Sequence, residues 1–331
     1  MSVTSTATGE SSQSRRNAQD VSPGLAVGSI CAVILAVIYL FGERDHALVT
    51  QAVVSGLLLG GVYALISVGL TLIFGVLGIV NFAQGAMLTM AMYLVYALST
   101  AGLPVYLATI AAVPLMFVFG MIVQSTLLTK LTISGSHEGP LLVTLGLSLL
   151  ITNVLLMIFG GRPKSVQAPV EGAVSILGAV ASWPRVLAFI GAAIVVVALK
   201  LVLERTPLGL SIRAVASNSD GAKLVGVDIG RVYALTFGIG AACVAVAGGL
   251  MTPFTSLTPT VGEQFTILAF VIVVLGGLGS VVGAMVGGLV IGLVQTVGAI
   301  YLPGTGSLIL VFAVFILVLF LRPQGLYGAR R

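Results

Sequence analysis

Charged residues are scarce in this sequence of 331 residues: Asp, Glu, Lys and Arg make up 8% of it, against about a quarter in ordinary soluble domains. With 58% of the chain hydrophobic, a soluble globular fold is excluded, since so few charges cannot clothe so much apolar surface. The formal excess of +5 is scattered through loops and tails, which leaves no basic face for nucleic acid. Cysteine is nearly absent. Cys31 and Cys243 both fall in apolar runs, so neither a disulfide framework nor a metal cluster is expected, and both read as small buried hydrophobes.

The chemistry of an enzyme is missing as well. His46 and His137 stand isolated, no glycine-lysine phosphate loop occurs, and no acid–base pair or metal-ligand spacing is present. No catalytic residue, metal or cofactor is therefore expected. An ion-coupled transporter would bury ionisable groups within its spans, and the apolar runs here hold almost none. What remains is a channel, or a permease driven by ATP that another subunit hydrolyses.

Long apolar runs dominate what is present. A hydrocarbon core about 30 Å thick needs roughly 20 helical residues per crossing and tolerates no open sheet edge. Continuous Leu, Val, Ile and Gly runs, without the short alternation of a barrel strand, predict an all-α polytopic transmembrane bundle of about eight to ten crossings. Residues 1–24 are rich in Ser, Thr and Gln and read as a disordered tail; residues 25–331 form one transmembrane domain. A first span is expected at 25–41, with later ones at 104–129, 140–160, 186–203, 232–251, 265–278, 281–300 and 307–321. Residues 47–80 carry no charge and are too long for one crossing, so Gly69, Gly75 and Gly78 are the expected sites of a break. The short run after them, 86–99, reads as a discontinuous or re-entrant helix.

Placing the N-terminus in the cytosol and alternating sides leaves only Arg44, Arg162, Lys164 and Arg185, of the 15 Lys and Arg residues, outside. The same assignment puts both termini and the polar segment 204–231 in the cytosol. That segment carries Glu204, Arg205, Arg213, Asp220, Lys223, Asp228 and Arg231, whereas between Arg231 and Arg322 the only charge is Glu263. Two short helices, 212–216 and 221–225, are expected in it, joined by a turn at Ser217, Asn218, Ser219 and Asp220.

Other signals concern transport. Gly56 and Gly60, Gly288 and Gly292, and Gly279, Gly283 and Gly287 are spaced four apart, the pattern that lets helix backbones approach closely. The run Gly276-Gly277-Leu278-Gly279-Ser280 is expected to break a helix, as transport paths often require. Asn81, Gln84, Gly85, Thr144 and Ser148 are neutral polar or small positions within the spans. They are candidates either for a path suited to a small zwitterion or amide, or for bonds between helices. Glu263 and Gln264 stand at an external helix start, where Glu263 is expected to cap the helix or dock a partner.

Several stretches in order resemble a known family. Residues 56–65 (GLLLGGVYAL), 69–76 (GLTLIFGV), 81–85 (NFAQG), 144–148 (TLGLS), Thr206-Pro207-Leu208-Gly209 with Arg213-Ala214, 274–280 (VLGGLGS) and 322–326 (RPQGL) resemble the LivH-type permease of branched-chain amino-acid ABC transporters. The resemblance covers about residues 48–328 and implies a permease subunit in a bacterial inner membrane that carries small amino acids. It implies as partners two cytosolic ABC ATPases, a second permease subunit (LivM-like or another copy) and a periplasmic binding protein. Coupling to the ATPase would fall on Arg213, Ala222 and Gly226, in the stretch that also holds Asn218, Asp220, Lys223 and Asp228. Gln84 and Ala86 stand where the family often has His and Glu, which leaves urea and short-chain amides as alternative cargo. Gly221 replaces a common alanine and weakens the second short helix; the span at 25–41 is an addition to the family pattern.

Overall fold

A computed structural model describes residues 46–133, 138–168, 170, 172–302 and 304–327. The tail at 1–24, the span at 25–41, Cys31 and His137 lie outside the described residues. Within them the chain is helical apart from one hairpin. Its helices are α1 (His46–Leu77), α2 (Gln84–Thr100), α3 (Val105–Val123), α4 (Thr129–Ile133), α5 (Glu138–Phe159), α6 (Trp183–Arg205), α7 (Pro207–Ser217), α8 (Ser219–Leu224), α9 (Ile229–Met251), α10 (Gly262–Gly276), α11 (Val281–Tyr301) and α12 (Gly306–Leu321). A π-helical turn, Gln124–Leu128, joins α3 to α4. Six stretches, Ala47–Leu77, Val105–Leu128, Glu138–Phe159, Trp183–Arg205, Ile229–Met251 and Val281–Tyr301, are long and apolar enough to cross a membrane. The shorter α2, α10 and α12 lie alongside them.

The fold is built around α1 and α9, which pack on each other; α11, α10 and α6 also lie against α1, and α2 and α3 against α9. Glycine makes this closeness possible. A methyl group placed on Gly60 would lie 2.9 Å from the carbonyl oxygen of Gly288, and one on Gly292 would collide with Gly60 and Gly56. The two four-residue glycine patterns therefore face each other across the α1–α11 seam, where dispersion between backbones replaces the hydrophobic drive that lipid does not supply.

The same need for contact corrects the expected break in α1. The helix runs unbroken past Gly69 and Gly75 to Leu77, and only Gly78, with φ +68°, ends it. Gly69 faces the carbonyl of Gly240, and Gly75 faces the backbone of Gly279. These glycines serve close approach; the helical hydrogen bonds are kept. At about 1.5 Å per residue α1 exceeds the hydrocarbon thickness, so it tilts or extends beyond it.

Residues 161–185 hold an element that the composition did not announce. Strands β1 (Ala173–Ile176) and β2 (Ala179–Ser182) pair antiparallel, with Ile176 opposite Ala179. Their two-residue turn has positive φ at both Leu177 (53°) and Gly178 (85°), the handedness that a tight hairpin demands. Gln51 on α1 fastens the hairpin: its Nε2 donates to the carbonyl of Val180, and its Oε1 accepts from the Val180 N–H, both at 2.8 Å.

Candidate functional site

Two regions concentrate the polar groups, the loop between α6 and α9 and the two helix breaks near it. The loop folds because its ends are capped in series. Thr206 accepts from the Gly209 N–H at 3.1 Å and starts α7, with Pro207 in the first turn, where a missing N–H costs nothing. Ile212 and Val215 are buried against the spans and Arg213 is turned outward. The helix begins five residues earlier than the expected 212–216, since Thr206 and Pro207 supply a start signal that charge pattern alone conceals.

Asn218 ends α7 and caps α8, its Oδ1 accepting from the Gly221 N–H at 2.9 Å. One side chain thus joins the two helices. Ala222 is buried, while Asp220 and Lys223 are exposed. Gly226 ends α8 with φ +86°: its N–H reaches the Lys223 carbonyl and the Val227 N–H reaches that of Ala222, each at 3.1 Å. Asp228 then caps α9 through the Arg231 N–H at 3.1 Å, and its other oxygen lies 3.1 Å from Arg231 Nε. Of the seven expected coupling residues, Asn218, Gly226 and Asp228 thus set the backbone, Ala222 packs, and Arg213, Asp220 and Lys223 face outward. Leu224 and Val225, 88% and 79% exposed, form an apolar tip that sequence reasoning missed; two aliphatic residues in a polar island were the available signal.

The second break lies between α10 and α11. Gly277 (φ 100°) and Gly279 (φ 85°) carry the chain through conformations closed to most side chains, and Ser280 caps α11 through the Gly283 N–H at 3.1 Å. The last carbonyls of α10 are bonded within the chain: Leu275 accepts from the Leu326 N–H at 2.8 Å and Gly276 from the Tyr327 N–H at 2.9 Å. Arg322 Nη1 holds this turn by donating to the Leu326 carbonyl at 2.9 Å. The 274–280 and 322–326 motifs are therefore parts of one structure.

The break between α1 and α2 is held by amides. Asn81 and Gln84 are wholly buried; Asn81 Nδ2 donates to Gln84 Oε1 at 3.1 Å, and Gln84 Nε2 donates to the Ile66 carbonyl at 3.3 Å. Thr144, also buried, accepts from the Phe82 N–H at 3.3 Å, which ties α5 to the break. Ser148 is half-buried one turn along, and Gly85 meets Gly262 backbone to backbone while its N–H donates to Thr266 Oγ1 at 3.0 Å. Ser67 and Thr71, stacked one turn apart on α1, have buried hydroxyls with no hydrogen-bond partner. Thr71 lines a cavity of about 310 Å³ that reaches Arg213 and Ser280, and a larger one of about 950 Å³ adjoins it through Gly279. Apart from Lys130, whose side chain is not described, no Asp, Glu, Lys or Arg among the described residues is buried.

Glu263 and Gln264 sit exposed in the first turn of α10, which starts where Gly262 meets Gly85 and Phe265 packs on Tyr63. Val261 occupies the cap position and no side chain caps the helix, so the expected capping bond from Glu263 is not made; its carboxylate keeps only the favourable end of the helix dipole.

A family model described as branched-chain amino acid transport system, permease component, matches residues 52–319. The permease protein BraD of a high-affinity branched-chain amino acid transport system in Pseudomonas aeruginosa is 31% identical over 293 residues, covering 84% of this chain and 95% of that protein. LivH of Salmonella typhimurium is 30% identical over 294 residues with the same coverage. A probable LivH of Methanocaldococcus jannaschii is 26% identical over 287 residues, 80% of this chain and 88% of its own. This multi-pass membrane chain belongs to the branched-chain amino acid transport system permease component family.

Proposed function

We propose that the protein is the permease subunit of an ATP-driven importer for small amino acids with aliphatic side chains. The observation that carries this reading is the α7–α8 pair, two short helices outside the spans, pinned at Asn218 and ending in an exposed Leu224-Val225 tip. That tip, flanked by Asp220, Lys223 and Arg213, is suited to a groove on a cytosolic ATPase, two of which would serve a pair of permease subunits. The second permease is either a LivM-like chain or another copy. A periplasmic binding protein would dock on the β1–β2 hairpin and on Glu263 and Gln264.

On this reading the chain spans a bacterial inner membrane with both termini in the cytosol. The path opens beside the break at Gly276, Gly277 and Gly279. Asn81, Gln84, Gly85, Thr144 and Ser148 supply neutral polar groups as α2 and α5 move against α1. Neutral groups suit a zwitterion, whereas an inorganic cation would call for acidic rings.

The test is uptake of leucine, isoleucine and valine into proteoliposomes that hold the full complex with binding protein, with and without internal ATP. Accumulation that requires ATP is expected. Uptake by the permease without any ATPase would identify a facilitator, and uptake of urea or acetamide in place of amino acids would overturn the assigned cargo.

A further inference from the structure

At the end of the spans remote from α7 and α8, a cavity of about 240 Å³ lies between α1, α6, α9, α10 and α11. Arg185, in the first turn of α6, stands exposed at its mouth with its guanidinium 5.9 Å from the centre of the Phe254 ring. No carboxylate of the described residues pairs with Arg185. It is also among the few cations placed on this side against the general bias of charge in the chain.

The remaining lining has two chemistries. Ser55, Thr255 and Thr296 bring hydroxyls, and Leu58, Met251, Phe254 and Phe265 bring an apolar wall. Thr296 spends its proton on the Gly292 carbonyl at 2.9 Å, which leaves oxygen lone pairs free to accept. Ser55 Oγ accepts from Gln51 Nε2 at 3.3 Å, which leaves its own proton free to donate. A cation with no carboxylate partner among the described residues, a hydroxyl donor, a hydroxyl acceptor and an aliphatic-aromatic wall together match one ligand class: a zwitterionic α-amino acid with an apolar side chain. A guanidinium takes a carboxylate through two parallel bonds, and an ammonium is accepted by a hydroxyl oxygen or a ring face. Urea or an acetamide would leave the guanidinium without its anion.

We propose that this cavity is the reception site in the permease for the delivered amino acid, with Arg185 holding its α-carboxylate. The assignment rests on the reading of the chain as an amino-acid permease. Arg185 is then a substrate-binding residue of the transport cycle.

The experiment uses the full complex in proteoliposomes, with Arg185→Gln and Arg185→Lys beside the wild type. Three quantities are read: co-purification of the subunits, ATPase stimulation by leucine-loaded binding protein, and uptake of radiolabelled leucine. For Arg185→Gln the expected result is normal assembly and stimulation with leucine uptake reduced about tenfold or more, the scale of one lost charge-assisted hydrogen bond. Arg185→Lys should recover part of that uptake. Loss of stimulation would place Arg185 in docking of the binding protein, and loss of assembly would make it structural; either overturns the proposal, as does unchanged uptake. A wild type that takes up no leucine overturns the amino-acid reading itself and the site with it, an outcome read before any variant is compared.

Discussion

Gly292 and Gly60 meet backbone to backbone across the α1–α11 seam, so that a methyl group on Gly292 would stand 2.5 Å from the Gly60 Cα. Nothing flexible lies between the two helices to absorb extra volume. Gly292→Ala is therefore expected to destabilise the protein by about 1–3 kcal/mol, the cost of overpacking a close contact. Thermal unfolding in detergent measures it. Gly146 has open space around its α-carbon, so Gly146→Ala should leave the midpoint unchanged or raise it.

The Asn81–Gln84 pair predicts coupling. Removing either side chain leaves the other amide buried without its partner, and Asn81→Ala or Gln84→Ala should each cost about 1–2 kcal/mol. The double variant should cost clearly less than the sum of the two. Strict additivity in the cycle would show that the pair contributes nothing as a unit.

Gly226 predicts an unusual order of tolerance. Its φ of +86° is accessible to glycine, less so to asparagine, and poorly to alanine. ATPase coupling should fall in the order glycine, asparagine, alanine, measured as stimulation by loaded binding protein. If Gly226→Ala and Gly226→Asn behave alike, the left-handed cap is not what couples the subunits.

The exposed tip predicts a loss of partner without a loss of fold. Leu224→Ser with Val225→Ser touches no buried contact, so expression and unfolding midpoint should stay within about 0.5 kcal/mol of the wild type. Co-purification of the ATPase should drop sharply. Retention of the ATPase would move the interface elsewhere on α7 and α8.

Leu177 holds a positive φ of 53° at the hairpin tip while 88% exposed. Leu177→Asn should relieve about 1 kcal/mol of backbone strain and slow proteolysis of the hairpin. A simultaneous fall in stimulation by the binding protein would show that the exposed leucine is kept for contact.

The spans were legible because apolar length and charge scarcity act locally: each run at 232–251, 281–300 and 307–321 became a helix within a few residues of its expected ends. The Gly276–Ser280 break was legible for the same reason. Gly69 and Gly75 misled because a glycine that bends a helix and one that admits a neighbour's backbone look alike in sequence; only Gly240 and Gly279 on other elements decide between them. The start of α7 is hidden in Thr206-Pro207, which in the sequence looks like part of a family motif and in the fold is a cap. In the sequence Arg185 reads only as a topogenic charge, because its cavity is assembled from five separate helices. Asn81 and Gln84 were seen as polar positions, but that they bond each other depends on the turn at Gly78 bringing them inward.

The turn that Leu326 and Tyr327 place on Leu275 and Gly276 also sets an order of events during synthesis. Helix α10 leaves the ribosome with its final carbonyls unsatisfied, and the groups that satisfy them follow only after α11 and α12 have been made. Until then the α10–α11 corner lacks the two bonds that close it. A chain arrested before residue 322 would lack these bonds at a site deep in its sequence, far from its growing end.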